Sequence, residues 1–181
     1  MKSTLLFLVL AAQCLWILAT VTVQESRLRS DVTVLLETRP IDPRDLLRGD
    51  YVILNYAISD IPRELFQGPA FQQPAMGTPV HVVLAKQGDF HVAVAAYLQR
   101  PKDESRPVVQ GRVVQSRWTA GLPNSVRLEY GIERYYVREG TGEPQGKLTV
   151  EAAIPPNGRP VIRDLYLDGK PFAEAMSHIA R

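Results

Sequence analysis

The sequence predicts a mainly β protein: an N-terminal single transmembrane helix, then a compact β-sandwich or partly open β-barrel domain with short helical turns. Two observations carry this. One uncharged apolar run opens the chain and is not repeated. After it, seven or eight short runs of alternating or β-rich sequence are separated by Gly- and Pro-containing breaks, the pattern of a sandwich or barrel.

Residues 4–23 read TLLFLVLAAQCLWILATVTV and hold no charge. About 20 such residues are needed to cross a hydrocarbon core. A cleaved signal peptide has a shorter apolar region and a small-residue cleavage site. Here Ala19-Thr20-Val21 makes a poor one, and Gln13 before Cys14 does not suit a lipoprotein signal. The expectation is therefore a retained anchor at residues 1–23 in the cytoplasmic membrane, spanning the bilayer through residues 4–23. A juxtamembrane linker, or a continuation of the helix, follows at residues 24–31, and the β domain occupies 32–181. Lys2 before the span is balanced by Arg27 and Arg29 after it, so the positive-inside count does not orient the chain. Long tails cross largely regardless of charge, which favours an extracytoplasmic C-terminal domain.

Residues 32–38 (VTVLLET) form a β-rich run, and the Pro- and Asp-containing stretch at 40–45 makes a turn. Residues 51–59 (YVILNYAIS) read as the clearest strand, with Val52, Leu54, Tyr56 and Ile58 on one face and Tyr51 on the other. A helical turn with Pro62 at its start is expected at 61–66. Residues 80–99 read as a hairpin about Gln87-Gly88-Asp89: a two-residue Gly88-Asp89 loop sets His81 opposite Ala96, and a three-residue loop puts His91 four positions from the partner of His81. Residues 108–118 alternate weakly, with Gly111 a candidate bulge or bend. Residues 126–130, 147–154 and 161–167 are further strands, 131–137 fits a strand or a helical turn, and 171–181 forms a terminal helix.

Composition narrows the chemistry. The chain has 181 residues, a formal net charge of +2 and one Cys, Cys14. That excludes an intrachain disulfide, and so small a charge gives no reason to expect a nucleic-acid partner. The strand registers do not place His81 and His91 on one metal, there is no HExxH, and His178 lies in the terminal segment. No metal site and no cofactor are expected. A Ser–Lys peptidase needs a desolvated Lys, whereas Lys86, Lys102, Lys147 and Lys170 each sit at or beside a turn.

One octapeptide stands out: Gly49-Asp50-Tyr51-Val52-Ile53-Leu54-Asn55-Tyr56. It fits GDYxxLxY at every fixed position and resembles the bacterial GDYXXLXY family. A second block, residues 130–137 (YGIERYYV) followed by Glu139-Gly140, and residues 162–169 (IRDLYLDG) extend the resemblance along the tail. The resemblance implies a membrane-anchored protein of unknown function that accompanies multi-span membrane proteins, and it carries no catalytic residue over.

From physics alone, Gly49 supplies a turn conformation and Asp50 accepts backbone N–H groups in it. Leu54 and Tyr56 belong to the core, and Tyr51 faces the other way. The motif residues Gly49, Asp50, Tyr51, Leu54 and Tyr56 are thus structural or partner-binding. The cluster Arg134, Tyr135, Tyr136 and Arg138 is a candidate interaction surface for phospholipid head groups or a partner, because Tyr is enriched in both settings. The expected function is a non-enzymatic interaction module beside a multi-span membrane protein. The alternative is an anchored envelope hydrolase or peptidase with an unfamiliar site.

Overall fold

A computed structural model of the chain describes residues 2–39, 51–68, 73–102, 104–117, 125–138, 144 and 146–177. Gly49 and Asp50, the turn at 40–45, Glu139-Gly140 and His178 lie outside the described residues.

Helix α1 runs Lys2–Leu28. In its second half Thr20 donates to the Ile17 carbonyl at 2.7 Å and Thr22 to the Leu18 carbonyl at 3.0 Å, so both hydroxyls are satisfied within the helix. From Leu6 onward, apolar side chains such as Phe7 and Trp16 are exposed around the whole cylinder. A helix that is apolar all round requires a non-aqueous surrounding or a partner. The stretch Leu6–Leu28 is long and apolar enough to cross a membrane. The helix does not stop at residue 23: residues 24–28 continue it, and a Glu25–Arg29 pair at 2.9 Å closes its last turn.

Eleven described strands follow: β1 Thr33–Glu37, β2 Tyr51–Ile53, β3 Asp60–Pro62, β4 Pro79–Gln87, β5 Phe90–Tyr97, β6 Val108–Arg117, β7 Ser125–Glu129, β8 Arg134–Tyr136, β9 Leu148–Ala153, β10 Val161–Leu167 and β11 Lys170–Pro171. A short helix α2, Phe172–Ser177, ends the described chain. Those beyond the expected set, β3 and β11, are pieces of three and two residues.

Three sheets, β1-β9-β10-β11, β2-β8 and β3-β7-β6-β4-β5, curl into a nearly closed barrel. Of the two architectures expected, the barrel is the one formed. At the β1–β5 seam the Leu35 N–H donates to His91 Nδ1 at 3.1 Å. Single bridges Thr38–Tyr56 and Phe66–Ala96 tie the sheets elsewhere. Inside lie Val34, Leu36, Val52, Leu54, Tyr56, Val80, Val82, Leu84 and Val150, all but free of solvent.

Three local readings are corrected. Residues 51–59 do not form one strand. Val52, Leu54, Tyr56 and Ile58 are buried and alternate with partly exposed neighbours, but pairing with β8 ends at Ile53 and a turn of 3-10 helix occupies Ala57–Ser59. Alternation reports which face is buried; a ladder also needs a neighbour, and here the chain passes from β8 to β1 and then to β7. Second, the hairpin turns at Gly88-Asp89, with Gly88 at φ 62, yet His81 lies opposite Tyr97 rather than Ala96. A bulge in β5, where the pairing steps from Val83–Ala95 to Leu84–Ala93, inserts one residue. Third, Gly111 is not a bulge: it pairs with Val80, and the register break in β6 falls between Val113 and Gln115. Its missing side chain serves close packing, since a Cβ there would come within 2.9 Å of the Tyr130 ring.

Candidate functional site

Within residues 131–137, which fitted either a strand or a helical turn, Arg134–Tyr136 form strand β8, and its partner is the motif strand β2. Tyr51 pairs with Tyr136, Val52 with Tyr135 and Ile53 with Arg134, antiparallel. The two blocks singled out in the sequence, some 80 residues apart, therefore make one ribbon.

Period-2 alternation divides this ribbon into two faces. On the inner face Val52 is fully buried, and Tyr135 meets Phe172 of α2 edge-on, ring centroids 5.8 Å apart. On the outer face the Tyr51 and Tyr136 rings sit 5.9 Å apart, and the Arg134 guanidinium lies 5.3 Å from the Tyr51 centroid. Tyr136 is 71 % exposed. Of the two adjacent tyrosines, one is packed and the other is presented to solvent.

Beyond β2 the motif becomes internal scaffolding. Leu54 is buried, and its N–H donates to the Glu133 carbonyl at 2.8 Å. The Tyr56 hydroxyl donates to the Ile132 carbonyl at 2.6 Å, and the Tyr130 hydroxyl donates to the Ile58 carbonyl at 2.6 Å. Burial, with the Glu133 charge adding to it, pushes both phenols well above the usual tyrosine range, so both remain donors. The Glu133 carboxylate accepts the N–H groups of Tyr130 (2.5 Å) and Gly131 (2.9 Å), which shapes the tight turn before β8.

Beside the ribbon lies a cleft of about 460 Å³, lined by Tyr51, Ile53, Asn55, Arg127, Glu129 and Arg134 among others. Its floor is braced by a polar network. Arg127 donates to Asn55 Oδ1 at 2.8 Å and to the Asp60 carboxylate at 3.2 Å, and Arg39 donates to the same carboxylate at 3.1 Å. A broader groove, lined by residues 73–76 and 114–116, lies on the other side of Arg127.

Asn55, Asp60, Arg127 and Glu133 did not stand out in the sequence. Asn55 carried a usable signal, a polar residue on the same strand face as Tyr51 within an apolar run. Asp60 and Arg127 become neighbours only through the β3–β7 pairing. Arg138 lies just beyond β8 and is exposed.

A family model described as GDYXXLXY protein matches residues 13–165, most of the chain. The chain belongs to the GDYXXLXY family. The family's octapeptide thus spans two environments: Tyr51 on the open face of the ribbon, Leu54 and Tyr56 inside the barrel wall. No curated protein and no solved structure matches this chain.

The lining is mixed in composition. It offers an aromatic shelf, two guanidinium groups, an amide and carboxylates, and among the described residues no His, Lys or Cys lines it. The four lysines weighed for a Ser–Lys pair are all exposed, and Lys147 pairs with Glu37 at 2.5 Å. Among the described residues no three His, Cys, Asp or Glu side chains converge as a metal site.

Proposed function

We propose that this protein is a membrane-anchored recognition module, held in the cytoplasmic membrane by residues 4–23, with its barrel on the extracytoplasmic side. It docks onto a multi-span membrane protein through the β2–β8 ribbon and catalyses no reaction itself. The observation that carries this reading is the pairing of the two family blocks, which stacks Tyr51, Arg134 and Tyr136 side by side on an open face next to the cleft. Tyr and Arg are the residues that dominate interface energetics, because they bring large rigid area together with directed donors. The multi-span nature of the partner follows from the family resemblance and from α1, which would place the ribbon on a domain tethered beside the bilayer.

The test is affinity capture of the full-length chain in mild detergent, from the membranes in which it is made. The wild type should bring down a multi-span protein in stoichiometric amount. Tyr136→Ala and Arg134→Ala should each weaken capture at least tenfold, the scale of a hot-spot truncation, with thermal melts unchanged. Recovery of the intact chain alone as a monomer would overturn the proposal, as would full capture by both variants.

A further inference from the structure

The ribbon that carries the family motif has one edge without a neighbour. The Leu54 N–H donates to the Glu133 carbonyl at 2.8 Å, and bonds across an antiparallel ladder recur at every second pair. That sets the phase: Val52 and Tyr135 are the bonded pair, and the N–H and C=O groups of Arg134 and Tyr136 point away from β2. Among the described residues no strand and no backbone group meets them there.

A second unpaired edge lies across from it. β10 pairs with β9 on one side and with β11 only at Tyr166 and Leu167 on the other, which leaves residues 161–165 without a described strand on that side. Both strands start from the rim of one small cavity of about 280 Å³, lined by Gly131 and Arg159 among others. At their other ends α2, which follows β11, brings Phe172 against Tyr135 of β8. β8 and β10 thus flank one opening in the barrel wall. Paired strands stand about 4.8 Å apart, whereas Cα atoms of β8 and β10 come within 8 Å of each other at isolated points at most.

The rim of this opening is apolar. Tyr135 and Val137 on the β8 side, Ile162 on β10 and Ala175 on α2 pack against the core yet stay partly exposed. Arg134 and Tyr136 on one side and Arg163 and Asp164 on the other are exposed. A strand interposed between two others needs twice the strand spacing, about 10 Å. Its side chains alternate, one set lying over Tyr135, Ile162 and Ala175 and the other beside Arg134 and Tyr136.

We propose that the opening between β8 and β10 receives an extended segment of the multi-span partner, which adds to β8 as a strand through the backbone groups of Arg134 and Tyr136 and completes the wall. The inference rests on the reading of the ribbon as the docking site and adds how the partner is held there. Unpaired strand edges recruit extended chain, because main-chain bonds give affinity and alternating side-chain positions give specificity. The inserted segment has no proline at its paired positions and alternates apolar with polar residues, the apolar set facing inward.

The experiment reads residue-resolved amide exchange in the full-length chain, alone in mild detergent and in the complex captured from its own membranes. In the chain alone, Arg134 and Tyr136 should exchange fast, and Tyr135, bonded to Val52, slowly. In the complex, Arg134 and Tyr136 should slow by about tenfold or more while Tyr135 keeps its rate. Tyr136→Pro removes the outward donor as well as the ring and leaves the bonds to β2 in place, whereas Tyr136→Ala removes the ring alone. The proline variant should therefore capture about tenfold less partner than the alanine variant, the scale of one lost hydrogen bond. Slow exchange at Arg134 and Tyr136 in the chain alone would overturn the proposal, because the edge would already be paired. Fast exchange at both in the complex, or equal capture by the two variants, would overturn strand addition and leave docking through the ribbon standing. Capture of no multi-span protein would overturn the docking reading and this proposal together.

Discussion

Tyr56 and Tyr130 lock one seam from opposite sides. Each hydroxyl reaches the backbone carbonyl of the other's segment, Tyr56 to Ile132 and Tyr130 to Ile58. Both rings are buried, so a lost hydroxyl leaves a carbonyl without its partner inside the wall. Tyr56→Phe and Tyr130→Phe should each destabilise the domain by about 1–2 kcal/mol. Tyr56→Ala should cost about 3–5 kcal/mol, because a large core side chain is removed as well. Equilibrium unfolding of the detergent-solubilised chain measures all three. Equal stability of Tyr56→Phe and the wild type would show that the bond to Ile132 carries no weight. At this scale the sequence was informative for Tyr56, because its parity with Val52 and Leu54 marks a buried face. Its hydroxyl partner was not legible, because Ile132 lies 76 positions away and reaches Tyr56 only in the folded chain.

Among the elements, the β1–β5 seam depends on one imidazole. His91 Nδ1 accepts the Leu35 N–H, and burial, then the nearby Lys86 charge, lowers its pKa. His81 is lowered as well, by burial and then by Arg100. A histidine whose folded-state pKa is depressed leaves the unfolded chain binding more protons. The stability is thus complete above the ordinary imidazole pKa, near 6.5, and declines as pH falls through that value towards the folded one. Protonation of Nδ1 also abolishes the acceptor that the seam uses. The melting temperature should fall between about pH 7.5 and about pH 5.5, the range of histidine titration. His81→Gln/His91→Gln should flatten that slope, since neither amide titrates. A wild-type melting temperature that does not move across the interval would refute this account. The two bulges, in β5 and β6, belong to the same scale. They are invisible in alternation because one inserted residue resembles ordinary variation in a strand, yet each resets the register beyond it.

For the whole molecule, the decisive question is whether α1 stays attached. The helix runs on to Leu28, and Ser30 is already bonded to the barrel. Cleavage near Val21 or Gln24 would leave a short helical stub on the domain. Carbonate-washed membranes should therefore retain the chain at full length. A soluble form beginning near Val21 or Gln24 would refute the anchor.

Much of the molecule can be read without coordinates. The uncharged run at residues 4–23 announces a helix apolar on every side, because its composition leaves no polar face to turn towards water. Alternation marks the buried face from Val52 to Ile58, and Gly88-Asp89 marks its hairpin, since both are local consequences of side-chain period and backbone freedom. The octapeptide and the block at 130–137 are legible as separate signatures of one family. What only the tertiary structure decided is which strands become neighbours. The choice of barrel over sandwich, the joining of Tyr51 to Tyr136 and the Arg39–Asp60–Arg127 brace all arise from pairings distant in sequence. Hydrophobic patterning specifies which face is buried, but it is non-directional and does not name the strand that covers it. Partner choice is settled by backbone hydrogen bonding and close packing of the whole chain at once.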